Sequence, residues 1–198
     1  MAVYFHGSFG LNREYMSALL RGSLANPKLK DKDLAKPFGY GGPFGSRYRS
    51  WLHKTGVAHM GLPIKLTSMG EVIVENDPEF KSLTTQWFLH HELTGNAERA
   101  EPWHYFANVF LPENTKFAKE ELLDGLTELL RYHSEQHFGP GSQLNKVILR
   151  KIIECYTKDF ALGGLGLIHE DGKDLVRKKG VKQLGPWKTP QALAKAYK

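Results

Sequence analysis

The length and composition of the chain are those of a protein that can bury a core. Its 198 residues are 41% hydrophobic and 12% aromatic, which excludes wholesale disorder. The single cysteine, Cys155, excludes an intramolecular disulfide framework and a cysteine-based zinc cluster, and its apolar surroundings favour a plain buried thiol. The N-terminus lacks a secretion signal, and no apolar run approaches the roughly 20 residues of a membrane span. We therefore expect a cytoplasmic protein without membrane association.

The net charge of +6 is unevenly distributed along the chain. Residues 34–70 carry five basic side chains and no acid, and residues 71–135 carry thirteen acids against five basic side chains. Residues 136–198 carry twelve basic side chains against five acids. Concentrated basic patches favour contact with a polyanion, because neutralising phosphates releases counterions. Two solvated basic faces are the alternative.

Residues 1–76 predict a winged helix-turn-helix. The expected elements are, in order, a helix within residues 8–21, helical turns at 31–36, a helix from Pro43 or Ser46 to Thr55, short strands at 57–58 and 64–66, and a helix capped by Thr67. Gly56 is expected to end the third helix in the left-handed conformation. In a winged helix, one exposed helix enters the major groove while the wing lies over phosphate or the minor groove.

The third of these helices and the strand after it supply the first set of candidate DNA-binding residues. Apolar side chains occupy one side of the helix, and polar or basic side chains occupy the rest. The set comprises Arg47, Arg49, Ser50, His53, Lys54 and Lys65. A basic face without acids favours DNA contact over a module that only scaffolds or dimerises, although that alternative stays open.

Residues 77–161 predict a helical region. Helices are expected at 83–94, 103–111, 117–133 and 143–158, the last capped by Ser142. The last helix again follows a glycine-rich break and carries basic residues on its free side. It is interpreted either as part of a second helix-turn-helix, with DNA contacts from Lys146, Arg150 and Lys151, or as a bundle helix with solvated lysines.

Histidines and carboxylates are dense between residues 90 and 104, a pattern that can bind a divalent metal or serve acid–base chemistry. Adjacent histidines point to different helix faces, however, and no pair has a compact metal-binding spacing. Capping and core hydrogen bonding are therefore favoured. His91, Glu92 and Glu101 are weak catalytic candidates, and the sequence identifies neither a catalytic residue nor a metal site. Glycine motifs of nucleotide-binding enzymes are absent.

Residues 162–198 predict a hairpin that turns at Asp171-Gly172 and a helix at 191–197 that begins at Thr189-Pro190. This helix ends without a cap, so we expect the natural chain to continue. The fold class expected for the whole chain is mostly α with small β wings. One winged helix-turn-helix, or two in tandem, would lie around a helical core.

Short motifs in this chain follow the order found in a bacterial family of unknown function, DUF4007. They include FHGSF at 5–9, GYG at 39–41, RSWL at 49–52, LTSMG at 66–70, WFLHHEL at 87–93 and FAKEEL at 117–122. The chain resembles this family over most of residues 5–168. Two departures occur: Gly42-Pro43 stands where the family often has Lys-Asn, and Ala118 stands where it often has a capping threonine.

The resemblance implies a setting, because members of this family lie beside the sulfur-transfer enzymes of DNA phosphorothioation and include a DNA nickase of the Ssp system. The expected function is a DNA-binding component of phosphorothioate modification and anti-phage defence, acting as an endonuclease if it introduces the nick before sulfur insertion. Expected partners are DNA, a cysteine desulfurase, a sulfur-transfer enzyme and an ATPase, with a homodimer as an open alternative. Mg²⁺ or Mn²⁺ would be the cofactor of cutting. A non-enzymatic DNA-reading or docking subunit and a winged-helix transcription regulator are the competing interpretations.

Overall fold

The computed structural model of the chain describes residues 3–198 and is mostly helical. The helices are α1 (Arg13–Ala25), α2 (Asp31–Ala35), α3 (Gly42–Lys54), α4 (Ser68–Asn76), α5 (Leu83–Thr94), α6 (Ala97–Tyr105), α7 (Leu111–Glu113), α8 (Lys119–Leu130), α9 (Glu135–Phe138), α10 (Gln143–Thr157) and α11 (Pro190–Ala196). Short 3-10 turns occupy Lys36–Phe38 and Gly163–Leu165, and a π turn occupies Phe106–Phe110. The expected mostly α fold class is confirmed. Across residues 3–198, no helix combines the length and apolarity needed to cross a bilayer.

Three short strands form an antiparallel sheet in the order β1-β3-β2, with β1 at Lys116–Ala118, β2 at Ile168–Asp171 and β3 at Asp174–Arg177. The β2–β3 hairpin confirms the one predicted from the sequence. Strand β1 replaces the first residues of the helix predicted at 117–133, because Phe117 pairs with Leu175 in the sheet. Helix α8 then begins at Lys119, where the Ala118 N–H donates to the Glu121 carboxylate at 2.6 Å.

Three helix starts follow the local capping chemistry expected from the sequence, whereas the helix predicted at 103–111 begins earlier, as α6 after the cap Asn96. The side chains of Thr67, Ser142 and Thr189 each accept hydrogen bonds from backbone amides of the helix that follows. Gly56, after α3, has a φ of +73°, which confirms the left-handed residue expected there.

The chain divides into two compact units. Unit 1 contains the residues up to Gly10 together with Thr94–Lys182, and unit 2 contains Leu11–Leu93 together with Gln183–Lys198. The sequence predicts segments in chain order, at 1–76, 77–161 and 162–198, with the β2–β3 hairpin and the C-terminal helix together in the last. Contacts of α11 with α4 group that helix with unit 2.

The core of unit 1 is aromatic and lies under α10. Tyr156 is fully buried and stacks on Phe106 at 5.3 Å between ring centroids. Asn145 of α10 donates to the Thr127 hydroxyl of α8 at 3.1 Å. Burial raises the pKa of the Cys155 thiol to about 12, so the residue is protonated and confirms the expected buried thiol.

The core of unit 2 lies between α1, α3, α4 and α5, where Leu20, Trp51, Leu52, Ile73 and Leu89 are almost completely buried. The segment between α3 and α4 turns back on itself. The two strands predicted at 57–58 and 64–66 are reduced to a single antiparallel bridge between Ala58 and Leu66. Two backbone hydrogen bonds flank the bridge, from the His59 amide to the Lys65 carbonyl at 2.8 Å and from the Thr67 amide to the Val57 carbonyl at 3.0 Å.

Candidate nucleic-acid interface

Helix α3 has one buried side and one side facing outward. Its inward residues are Phe44, Gly45, Tyr48, Trp51 and Leu52. The candidate residues Arg47, Ser50 and Lys54 lie three and four positions apart and therefore share one face, while Arg49 and His53 lie on the adjoining face. All five of these side chains are half-buried. The packing of the helix thus places the whole predicted set of α3 side chains outside the core.

Arg49 is tied to the acid at the start of α2. Its Nε and Nη2 atoms donate to the two carboxylate oxygens of Asp31 at 3.0 Å and 2.8 Å, and its side chain is only 17% exposed. These hydrogen bonds raise the pKa of Arg49, and partial burial opposes the rise. The pair fixes α2 against α3, so the charge of Arg49 is already largely neutralised within the protein.

A second acid approaches the C-terminal end of α3 from α5. A Cβ atom at Gly56 would lie 2.7 Å from Cγ of Glu92, so the carboxylate of Glu92 packs directly against this turn. His53 is close by, with its Nδ1 atom 3.3 Å from the Ala58 carbonyl. Residues 34–70 are free of acids along the sequence, but Asp31 and Glu92 bring negative charge to them in space.

Lys65 is the candidate residue of this set that is exposed, and its side chain forms no hydrogen bond or ion pair with any residue of the range 3–198. It follows a turn at 59–63 in which His59, Met60 and Leu62 are exposed. Met60 and Leu62 are 56% and 40% exposed, respectively. This turn therefore presents a cation beside an apolar tip.

The second candidate set lies on α10 in unit 1, and one acid binds two of its members. Glu154 accepts a hydrogen bond from Lys151 Nζ at 2.7 Å and lies 3.9 Å from Arg150 Nε. The Lys151 side chain is 12% exposed and that of Arg150 is 61% exposed. Lys146 is exposed at the rim of a pocket of about 220 Å³ that also contains Asp124 and Glu128. Arg150 and Lys146 are thus more accessible to a ligand than Lys151.

The three weak catalytic candidates have structural contacts, and that of Glu92 is its packing against Gly56. The Nε2 atom of His91 lies 2.6 Å from the Leu184 carbonyl, and its ring stacks on Trp87. A carboxylate oxygen of Glu101 lies 2.5 Å from His133 Nε2, within hydrogen-bond distance. Nowhere in residues 3–198 do three His, Cys, Asp or Glu side chains come together as metal ligands.

The sequence analysis did not identify the acids that pair with the predicted DNA-binding cations. Glu154 was detectable, because it lies three and four residues after Lys151 and Arg150 on the same helix. Asp31 lies 18 residues before Arg49 on a different helix, and no local pattern connects them. His133 likewise lies 32 residues after Glu101.

Comparisons with known proteins agree with the motifs described above. The model of a family described as a protein of unknown function, DUF4007, matches residues 6–179. No protein with a curated description matches the chain. The magnesium-ion-bound crystal structure of SspB resembles it with a TM-score of 0.60 and 18% identity, over 90% of this chain and 61% of that chain. A further SspB crystal structure has the same TM-score and coverage at 17% identity. The chain therefore shares the fold of SspB and spans about three-fifths of the length of these solved relatives.

Proposed function

The chain belongs to the DUF4007 family, and from this membership and the SspB-like fold we propose that it is a DNA-binding component of a phosphorothioate-modification and anti-phage defence system. The observation that supports DNA binding is a surface formed by α3 and by the turn between α3 and α4, which closes through the Ala58–Leu66 bridge. We name it the α3–hairpin surface, and its residues are Arg47, Ser50, His53, Lys54 and Lys65. These residues lie outside the core of unit 2, within a segment that contains no acid between residues 34 and 70. Cations and hydroxyl donors of this kind bind phosphate oxygens.

The proposed binding mode is that of a winged helix-turn-helix. Helix α3 acts as the recognition helix, the turn at 57–66 acts as the wing, and α2 precedes α3 as the supporting helix. Arg49 then serves chiefly as a positioning residue, because its pair with Asp31 holds α2 against α3. Lys65 on the wing supplies the most exposed phosphate contact.

Unit 1 supplies a second proposed DNA contact on α10. Lys146 and Arg150 are its exposed members, and Lys151 contributes less because its ammonium group is held by Glu154. The proposed protein partners are a cysteine desulfurase, a sulfur-transfer enzyme and an ATPase, which would act on the bound DNA.

Nicking is proposed as an activity of the protein without being assigned to particular residues. SspB has been crystallised with a magnesium ion bound, and metal-assisted phosphodiester hydrolysis uses such an ion. The described residues offer no three-ligand site, so the catalytic residues are left unassigned. Conversion of supercoiled plasmid to open circles with Mg²⁺ or Mn²⁺ would support a nickase. DNA binding without such conversion would favour the non-enzymatic DNA-reading subunit, and symmetric footprints would favour the regulator.

The test of DNA binding is fluorescence anisotropy with a labelled duplex across a salt series. The wild-type chain is compared with an Arg47→Ala/Lys54→Ala/Lys65→Ala variant and with a control, Lys28→Ala/Lys188→Ala/Lys195→Ala. The control removes the same charge from exposed positions of unit 2 outside the α3–hairpin surface. Arg49 is left intact in both variants so that the α2–α3 pair is preserved.

We expect the wild-type chain to bind with a steep salt dependence. The first variant should lose affinity and about two to three units of log–log slope, since each phosphate contact contributes about 0.9 units. The control should lose much less slope. Equal losses in both variants would show that binding follows net charge alone. Absence of salt-dependent binding by the wild-type chain would reject the proposed function.

A further inference from the structure

The turn between α3 and α4 carries an exposed apolar tip, which we name the prong and which consists of Met60, Leu62 and Pro63. Met60 is 56% exposed, Leu62 is 40% exposed, and Pro63 is also exposed. Gly61 lies between the first two with a φ of +120°, and a Cβ atom there would meet no atom within 4 Å. The prong therefore projects into open space, although exposure of apolar side chains to water is unfavourable.

The base of the prong is firmly held. Ala58 and Ile64 on either side of the tip are 1% and 5% exposed, and Ala58 forms the bridge with Leu66. The amides of Val57 and Ala58 both donate to the Leu52 carbonyl at the end of α3, at 2.9 Å and 3.1 Å. The turn is thus hydrogen-bonded directly to the end of the proposed recognition helix. Its base is packed in the core of unit 2, so the tip is held in a fixed position.

The prong itself contacts a positioned cation. Arg49 Nη1 lies 3.9 Å from the Met60 sulfur, while the same guanidinium is held by Asp31. Lys65 and His59 are exposed at the base of the turn. An apolar tip with the exposed cation Lys65 at its base is complementary to a partner whose surface is anionic and whose interior is flat and apolar. Duplex DNA has both properties, since its phosphates surround stacked bases.

We propose that the prong inserts between adjacent base pairs and unstacks them, so that the bound duplex is kinked and locally opened. This inference rests on the proposed DNA-binding function and specifies what binding does to the substrate. Side chains such as Met, Leu and Pro act as wedges at base steps, and the unstacking is offset by the additional protein surface that contacts the bent DNA. Flexible pyrimidine–purine steps are the expected targets, because they unstack most readily.

The experiment uses duplexes that contain 2-aminopurine at a TA or CA step, whose fluorescence increases when the base is unstacked, together with a donor–acceptor pair at the duplex ends that reports bending. The wild-type chain is compared with a Met60→Ser/Leu62→Ser variant. The matched control is Leu24→Ser/Leu83→Ser, which removes two apolar side chains that are 39% and 52% exposed elsewhere in unit 2. Affinity and salt slope are measured on the same duplexes.

We expect the wild-type chain and the control to raise 2-aminopurine fluorescence and shorten the end-to-end distance on binding. The prong variant should lose most of both signals, keep its salt slope, and change affinity by less than about tenfold, because the loss of the wedge and the relief from unstacking partly cancel. A wild-type chain that binds DNA without either signal, or a prong variant that retains both, overturns the inference and leaves DNA binding intact. A wild-type chain that binds no duplex overturns both.

Discussion

Acidic neighbours control how much of each basic side chain is available to a ligand. Arg49 is paired with Asp31 and Lys151 with Glu154, and both basic side chains are less than one-fifth exposed. Lys65 is exposed, and its side chain has no such partner among residues 3–198. A substitution at Arg49 therefore leaves Asp31 without its partner as well as removing a cation, so a binding loss on Arg49→Ala would not by itself identify a DNA contact.

At the same scale, His90 makes stability depend on pH. Burial, assisted by the neighbouring His91, lowers the pKa of His90 from 6.5 to about 3. Below pH 6.5 the unfolded chain gains a proton that the folded chain does not bind until about pH 3. The free energy of unfolding should therefore fall as the pH decreases through this window, by up to about 1.4 kcal/mol per pH unit from this residue.

The check is urea unfolding of the wild-type chain and a His90→Phe variant at several pH values inside that window. The variant keeps a ring against Trp87 but cannot titrate, so its stability should fall less steeply on acidification. His59→Phe, at an exposed histidine of the same unit, is the control for replacing a histidine by phenylalanine. A His90→Phe slope equal to that of the wild type would contradict the assignment.

At the scale of elements, the approach of α2 to α3 depends on a glycine. A Cβ atom at Gly45 would lie 2.2 Å from the carbonyl oxygen of Asp31, which is too close for any real contact. The same residue, Asp31, supplies the carboxylate that binds Arg49. The backbone contact and the ion pair therefore reinforce one arrangement of the two helices, which is the arrangement proposed to present α3 to DNA.

Gly45→Ala should separate the two helices and destabilise the protein by about 1–3 kcal/mol, as overpacking generally does. Gly42→Ala, at the first position of the same helix, is the matched control. A Cβ atom there would meet only the Lys32 amide nitrogen at 4.0 Å, so the substitution should be neutral or slightly stabilising. Thermal unfolding of both variants separates the outcomes. Equal stabilities would show that the helices can move apart without cost.

At the scale of the whole molecule, the last residues of the chain stabilise unit 2, which contains the α3–hairpin surface. Leu193 of α11 is fully buried. Tyr197 lies 2.8 Å from the Thr85 hydroxyl, which in turn donates to the Asp77 carboxylate at 2.5 Å. The structure thus connects the C-terminus of the chain to the first turn of α5.

Deletion of residues 183–198 should consequently destabilise unit 2 more than unit 1. Removal of a buried leucine side chain alone costs about 2–5 kcal/mol. We expect peptide-resolved hydrogen exchange to show faster exchange over residues 11–93, with little change over residues 94–182. Tyr197→Phe removes only the hydroxyl and should reproduce a small part of the effect. A uniform loss of protection across the chain would indicate that the two units unfold together.

The helical class and the helix starts at Thr67, Ser142 and Thr189 were predictable from the sequence, and the structure confirms them. Such features depend on apolar periodicity and on a side chain bonding an amide two or three residues away, so all the necessary information lies within a few positions. The family was predictable as well, because its motifs occur in order over most of residues 5–168, and the family model matches residues 6–179. The assignment of α3 to DNA binding stays a prediction.

Contacts between distant residues were not predictable in the same way. Phe117 was expected in a helix but pairs with Leu175 in a sheet, because a strand of three residues is stabilised by its partner rather than by its own sequence. The sequence places Arg49 on a basic helix face, and only the structure shows that Asp31 of another helix pairs with it. Local sequence therefore determined the helical class and the helix starts at the capping residues Thr67, Ser142 and Thr189. Packing determined which charges are neutralised and which apolar residues stay exposed, since both depend on residues far apart in the chain being brought together and removed from water.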